Sequence, residues 1–156
     1  MTMHIRRFDR RRLTLLLLMP LLWACGGEDT RPYLEFAGGG FVFNYRTANH
    51  YYGFVVRQAR PLPEGARLKV IFELPSGKTE VQEEPAVPGR LQYKFQTADL
   101  EDIVAGHPYE ATLLVLDGAT AKELFRLSHS FKTDVDQSKL PNKPLVVGPG
   151  YEKAPE

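Results

Sequence analysis

The chain is poor in the residues that would stabilise or equip a small domain by means other than a packed core. Among 156 residues it has one cysteine, one tryptophan and three methionines. A single cysteine excludes an intrachain disulfide, so the fold must stand on its core alone. Histidine is scarce as well. No two of His50, His107 and His129 stand at the spacing of a helical or hairpin metal site, and no second thiol exists to join them. No apolar run is long enough to cross a bilayer as a helix. The greasiest, Leu13–Trp23, has eleven residues where about 20 are needed, and Pro20 within it would kink a membrane helix. Neither sign of charge dominates, with 20 basic against 19 acidic residues.

The first 24 residues have the three parts of a secretory signal. Arg6, Arg7, Arg10, Arg11 and Arg12 form a basic region, Leu13–Trp23 an apolar one, and Ala24 a small residue before a cut. The sequence Leu22-Trp23-Ala24-Cys25 resembles the lipobox of bacterial lipoproteins. Leu22 and Ala24 fit that pattern; Trp23 departs from it, since a small or medium residue is usual there. The resemblance implies that Cys25 is lipidated and becomes the first residue of the mature chain. Ordinary cleavage with a free Cys25, or an uncleaved anchor, are the alternatives. One acyl chain holds a protein only marginally, whereas the family carries two or three on this cysteine. Gly26 follows Cys25 where an aspartate would retain a lipoprotein at the inner membrane. By the same resemblance the protein is expected in the bacterial envelope, lipid-anchored at the outer membrane and facing the periplasm.

Removing residues 1–24 takes away five arginines and one aspartate, so 20 basic and 19 acidic residues become 15 and 18, a net charge of about −3. The basicity belongs to the signal and implies no nucleic-acid partner. The tryptophan and all three methionines leave with it.

Residues 25–156 suit one domain. Residues 25–32 read as a polar tether, 33–133 as a β-domain and 134–156 as a Pro/Gly-rich tail. Tyr33–Ala37 is a short possible strand, and Gly38-Gly39-Gly40 breaks it with a turn or bulge. Phe41, Phe43 and Tyr45 alternate with Val42 and Asn44, and Tyr51–Gln58 follows as a second strand. Ala59–Ala66, with two prolines and a glycine, is a loop. Arg67–Leu74 places Leu68, Val70, Phe72 and Leu74 on one face. Pro75–Lys78 is a hairpin turn, and Thr79–Glu83 returns as a charged edge strand. Arg90–Thr97 points Leu91, Tyr93 and Phe95 inward. Leu100 and Ile103 tuck under a connection, Tyr109–Asp117 is a central strand, and Glu123–Thr133 puts Phe125, Leu127, His129 and Phe131 toward the core.

Seven or eight short strands with turns about every ten residues predict an all-β, antiparallel sandwich. The stretch Leu100-x-x-Ile103-x-x-Gly106-x-x-Tyr109-x-Ala111-x-Leu113 resembles the run into strand F of fibronectin type III and related immunoglobulin-like domains. That resemblance implies that the hydroxyl of Tyr109 bonds upstream backbone as a corner residue. The inter-sheet cysteines are absent, as in fibronectin-type domains, and so is the core tryptophan, whose space falls to Phe72 or its neighbours. A transthyretin-like sandwich is the competing topology. The tail, with Pro141, Pro144, Pro149 and Pro155, is expected to be extended, and Leu145-Val146-Val147 is apolar enough to pair with this sandwich or with a partner.

No catalytic set emerges, and no enzyme activity, cofactor or metal is expected. Ser128 and Ser130 flank His129, but in a strand they face away from it. Gly77-Lys78-Thr79 lacks the first glycine of a phosphate-binding loop, since Phe72 stands in its place. Asp134-Val135-Asp136 lacks the glycine and distal glutamate of a calcium loop. Glu83-Glu84 reads as a solvated pair. One cluster reads as a recognition surface: Arg46, Asn49, His50, Tyr51 and Tyr52 gather cationic, amide and aromatic groups between two strands. Two functions follow as expectations. The first is a non-catalytic accessory or adaptor for a larger envelope assembly, working through loops and tail. The second is a binding module for envelope glycan or a small molecule through residues 41–54. If the cluster binds, Arg46→Ala and Tyr51→Ala abolish binding in calorimetry and leave the melting temperature unchanged.

Overall fold

The structure is a computed structural model, and it describes residues 30–155. The signal segment 1–24, Cys25 and the tether as far as residue 29 lie outside the described residues. From Arg31 onward the chain forms one compact unit that includes the tail.

Seven antiparallel strands make two sheets. They are β1 (Leu34–Asn44), β2 (Asn49–Gln58), β3 (Arg67–Glu73), β4 (Thr79–Pro85), β5 (Gln92–Gln96), β6 (Tyr109–Leu116) and β7 (Glu123–Phe131). The first sheet has the order β1-β2-β5 and the second β4-β3-β6-β7. This all-β arrangement is compatible with the immunoglobulin/fibronectin type III-like sandwich. Two further strands, β8 (Val146–Val147) and β9 (Glu152–Lys153), pair only with each other.

Alternation of apolar side chains decides which face of each strand is buried. His50, Tyr52, Phe54 and Val56 of β2 face the core, as do Leu68, Val70 and Phe72 of β3. The inner position of β6 leaves Ala111 to Val115 buried without interruption. There Leu114 lies in register between Lys69 and Arg126 on the outer face. Strand β4 buries nothing fully and forms an edge.

Four sequence expectations change. His129, expected toward the core with Phe131, is exposed at the open side of β7. The two strands expected at 33–37 and 41–45 are one, because the glycines carry β1 through a bulge between Phe36 and Gly38 and do not end it. Leu91 does not point inward: it precedes β5 and is 68 % exposed, and only Tyr93 and Phe95 reach the core. The tail is folded, not simply extended. A 3₁₀ turn (Gln137–Lys139) begins with the Asp136 carboxylate accepting from the Ser138 amide and hydroxyl. Leu140 then inserts into the core, and the β8–β9 hairpin takes up Val146 and Val147.

Both open sides of the sandwich are joined by side chains. On one, Phe36 of β1 stacks on His129 of β7, ring centroids 4.0 Å apart. On the other, the Gln82 amide donates to the Gln96 carbonyl at 2.6 Å, and the Glu80 carboxylate accepts from the Ala98 amide at 3.0 Å.

The core is aromatic. Tyr52 lies within 5.2–6.2 Å, centroid to centroid, of Phe41, Phe72, Tyr109 and Phe131. Its hydroxyl crosses to the second sheet, donating to the Glu73 carbonyl at 2.6 Å with a weaker branch to the Glu110 carbonyl at 3.3 Å. Burial, reinforced by the Glu73 charge, pushes the phenol well above its usual range. The folded protein therefore keeps Tyr52 neutral beyond about pH 10, where the unfolded chain ionises. Its contribution to stability is complete below that pH and is lost as the pH rises beyond it. Tyr52→Phe is expected to lower stability by about 1–3 kcal/mol in urea unfolding at neutral pH, and to flatten the loss of stability above pH 10.

Candidate functional site

The β1–β2 hairpin holds the five residues read from the sequence as a recognition cluster. Its turn is built locally: the Asn44 side-chain oxygen accepts from the Arg46 and Thr47 amides, and Ala48 takes φ +54°. Beyond the turn, strand alternation separates the cluster. Asn49 and Tyr51 lie on the outer side, while His50 and Tyr52 point inward and are 2 % and 0 % exposed. His50 and Tyr52 are therefore corrected from binding residues to core residues. The His50 amide donates to the Asp99 carboxylate, and its ring Nε2 lies 3.2 Å from the Pro141 carbonyl oxygen, under the tail.

Arg46, Asn49 and Tyr51 remain accessible, and Arg46 and Tyr51 lie on two different surfaces. The first is at the hairpin tip. The Leu145 amide donates to the Tyr45 carbonyl, and the Arg46 guanidinium lies 4.1 Å from the centre of the Tyr151 ring. Tyr45, Leu145, Val147 and Tyr151 expose 41–61 % of their surface there. Sequence reading missed Tyr151 because a contact between residues 46 and 151 leaves no local signal.

The second surface is a trough of about 370 Å³ on the outer face of the β1-β2-β5 sheet. Gly40, Gly53 and Gln96 are cross-strand neighbours in one row, and Gly38, Val55 and Lys94 in the next. Two adjacent glycines leave bare backbone as a floor, with Tyr51 and Val42 at one end and Lys94 and Gln96 at the side. A side chain at Gly53 would place its Cβ 2.4 Å from the Phe95 carbonyl oxygen, and one at Gly39 would come 2.5 Å from the Gly53 oxygen. The strands approach too closely there for any residue but glycine. A Cβ at Gly40 meets nothing within 4 Å.

The remaining chemistry-bearing residues have structural partners. Ser128 faces away from His129 and bonds the Thr112 hydroxyl at 2.8 Å. His107 packs edge-on against Tyr109, and the Tyr109 hydroxyl accepts from the Val104 amide, five residues upstream, at 3.0 Å. Tyr93 holds the loop before β5 in the same manner, its hydroxyl accepting from the Val87 amide at 3.0 Å. Glu83 and Glu84 pair with Arg67 and Arg90. The Ser138 hydroxyl and amide hold the Asp136 carboxyl below the usual carboxylate range. Among the described residues no group of three or more His, Cys, Asp or Glu side chains converges as a metal site.

The glycine floor makes a sharp contrast testable. Gly53→Ala must displace the β5 backbone and is expected to cost about 1–3 kcal/mol, whereas Gly40→Ala leaves the melting temperature within error of the parent in differential scanning calorimetry.

Comparison of the chain with protein-family models and with curated proteins gives no match.

Proposed function

We propose that the protein is a non-catalytic lipoprotein of the bacterial envelope, held through lipidated Cys25 at the outer membrane and facing the periplasm. It serves as an accessory or adaptor for a larger envelope assembly. The anchor half of this reading is supported by the basic region, apolar run and Leu22–Cys25 pattern of the sequence. The adaptor half is carried by one observation: Tyr45, Leu145, Val147 and Tyr151 display apolar surface together where the tail hairpin meets the β1–β2 turn. Clustered apolar exposure of this kind, beside cations such as Arg46, is the chemistry of a protein contact.

A second reading is favoured by the trough. A backbone floor of Gly40 and Gly53 beside the Tyr51 ring suits a flat ligand, such as a sugar ring of envelope glycan or a small planar molecule. Lys94 and Gln96 would supply its polar contacts.

The two readings separate in the cell. A photo-crosslinking residue in place of Tyr151 is expected to yield one discrete protein adduct in membranes, and Cys25→Ser is expected to move the protein to the soluble fraction and remove that adduct. A Tyr151 position that forms no adduct, together with glycan binding abolished by Gly40→Leu, would replace the adaptor by the binding module.

A further inference from the structure

The two ends of the sandwich differ, and the chain enters at one of them. Leu34 pairs with Gln58, so β1 begins beside loop 59–66. Backbone bonds tie the neighbouring segments together at that end. The Ala59 amide donates to the Tyr33 carbonyl, Gln58 to Leu91, and Ala86 to Ala66. The β1–β2 turn, the 97–108 connection and the tail lie at the other end, roughly 30 Å away at about 3.3 Å per strand residue.

We infer that the entry end is a membrane-docking face, with Val87 and Leu91 entering the headgroup region of a phospholipid bilayer and Arg60 and Arg90 beside its phosphates. The inference rests on the anchoring at Cys25 proposed above and adds to it the face that meets the lipid.

Three observations carry it. Seven residues lie between Cys25 and Tyr33, and the eight steps along the chain, at no more than about 3.6 Å each, keep the entry end within about 30 Å of an anchor. Leu91 is the most exposed large apolar side chain among the described residues, at 68 %, and Val87, four residues away on the same loop, is 45 % exposed. The Tyr93 hydroxyl bonds the Val87 amide and carbonyl, so this loop displays its apolar side chains from a fixed backbone. Between Leu62 and Val87 the two loops also enclose a cleft of about 330 Å³, lined mainly by proline and aliphatic side chains.

Loops 59–66 and 86–91 carry Arg60, Arg90 and Glu64, with the Glu84 carboxylate 3.5 Å from Arg90 at the adjoining end of β4, and turn 117–122 holds one charge of each sign. Arg60 and Arg90 also lie over the Tyr33 and Tyr93 rings, at 3.6 and 4.7 Å, which holds both guanidinium groups at this end.

The composition supplies a clean test, since residues 25–156 contain one thiol and no tryptophan. The chain from Cys25 onward, which holds the whole compact unit, is made with Leu91→Trp or with Val147→Trp as the only tryptophan. Cys25 is coupled to a maleimide phospholipid in phosphatidylethanolamine/phosphatidylglycerol vesicles containing brominated acyl chains. Leu91→Trp is expected to shift its emission to the blue and lose about half its intensity to bromine, as an interfacial residue does; Val147→Trp keeps the spectrum it has in water. Unquenched Leu91→Trp emission, or equal quenching at both sites, overturns the inference. Chemical coupling makes this outcome independent of the cell's own lipidation, which is read separately from the mass of the Cys25 peptide isolated from membranes. A docking face without acylation and an acylated chain without a docking face are thus distinguished.

Discussion

The hydrogen bond from Tyr52 to the Glu73 carbonyl is the interaction on which the rest of the sandwich depends. Tyr52 belongs to the first sheet and Glu73 to the second, so the bond spans the core. It falls where the β3–β6 ladder stops, one residue beyond the Phe72–Ala111 pair. The Glu73 carboxylate takes over the unpaired Glu110 amide at that point, and the Tyr52 hydroxyl reaches both carbonyls. A phenol is suited to this position because its ring fills the space between sheets while its tip meets backbone that would otherwise be buried without a partner. Phe41, Phe72, Tyr109 and Phe131 then arrange themselves around that ring.

A similar device recurs at two connections between strands. Tyr93 binds the Val87 backbone and Tyr109 binds the Val104 backbone. In a domain with no disulfide, three buried tyrosines each use an apolar ring for the core and a polar tip for backbone, Tyr52 across the sheets and Tyr93 and Tyr109 in loops. The tail contributes to the same closure. Leu140 packs into the core and the Pro141 carbonyl meets His50, so the proline-bearing tail covers the far end of the sandwich.

These constraints leave three surfaces with distinct characters. The entry end is aliphatic and arginine-bearing, the far end carries an aromatic hairpin beside an acidic connection, and the outer face of the smaller sheet is hollowed by glycine. A tethered adaptor needs one end for its support and another for its partner, and such a division of chemistry between the two ends supports the adaptor reading over the binding module.

The sequence by itself determined the all-β class, the face of most strands and the edge position of β4, because period-two alternation and clustered turn residues are local signals. Leu100 and Ile103 were legible as buried residues, and the serines beside His129 as outward ones, for the same reason. Only the tertiary structure decided what the cluster at 46–52 does. Adjacent residues of a strand face opposite ways, so His50 and Tyr52 went to the core and Tyr51 to the trough. Arg46 acquired its neighbour from position 151, and Lys94 came beside Gly40 and Gly53 through pairing of β2 with β5. Those contacts depend on the order of strands and the path of the tail, which are set by long-range packing and leave no trace in the spacing of residues along the chain.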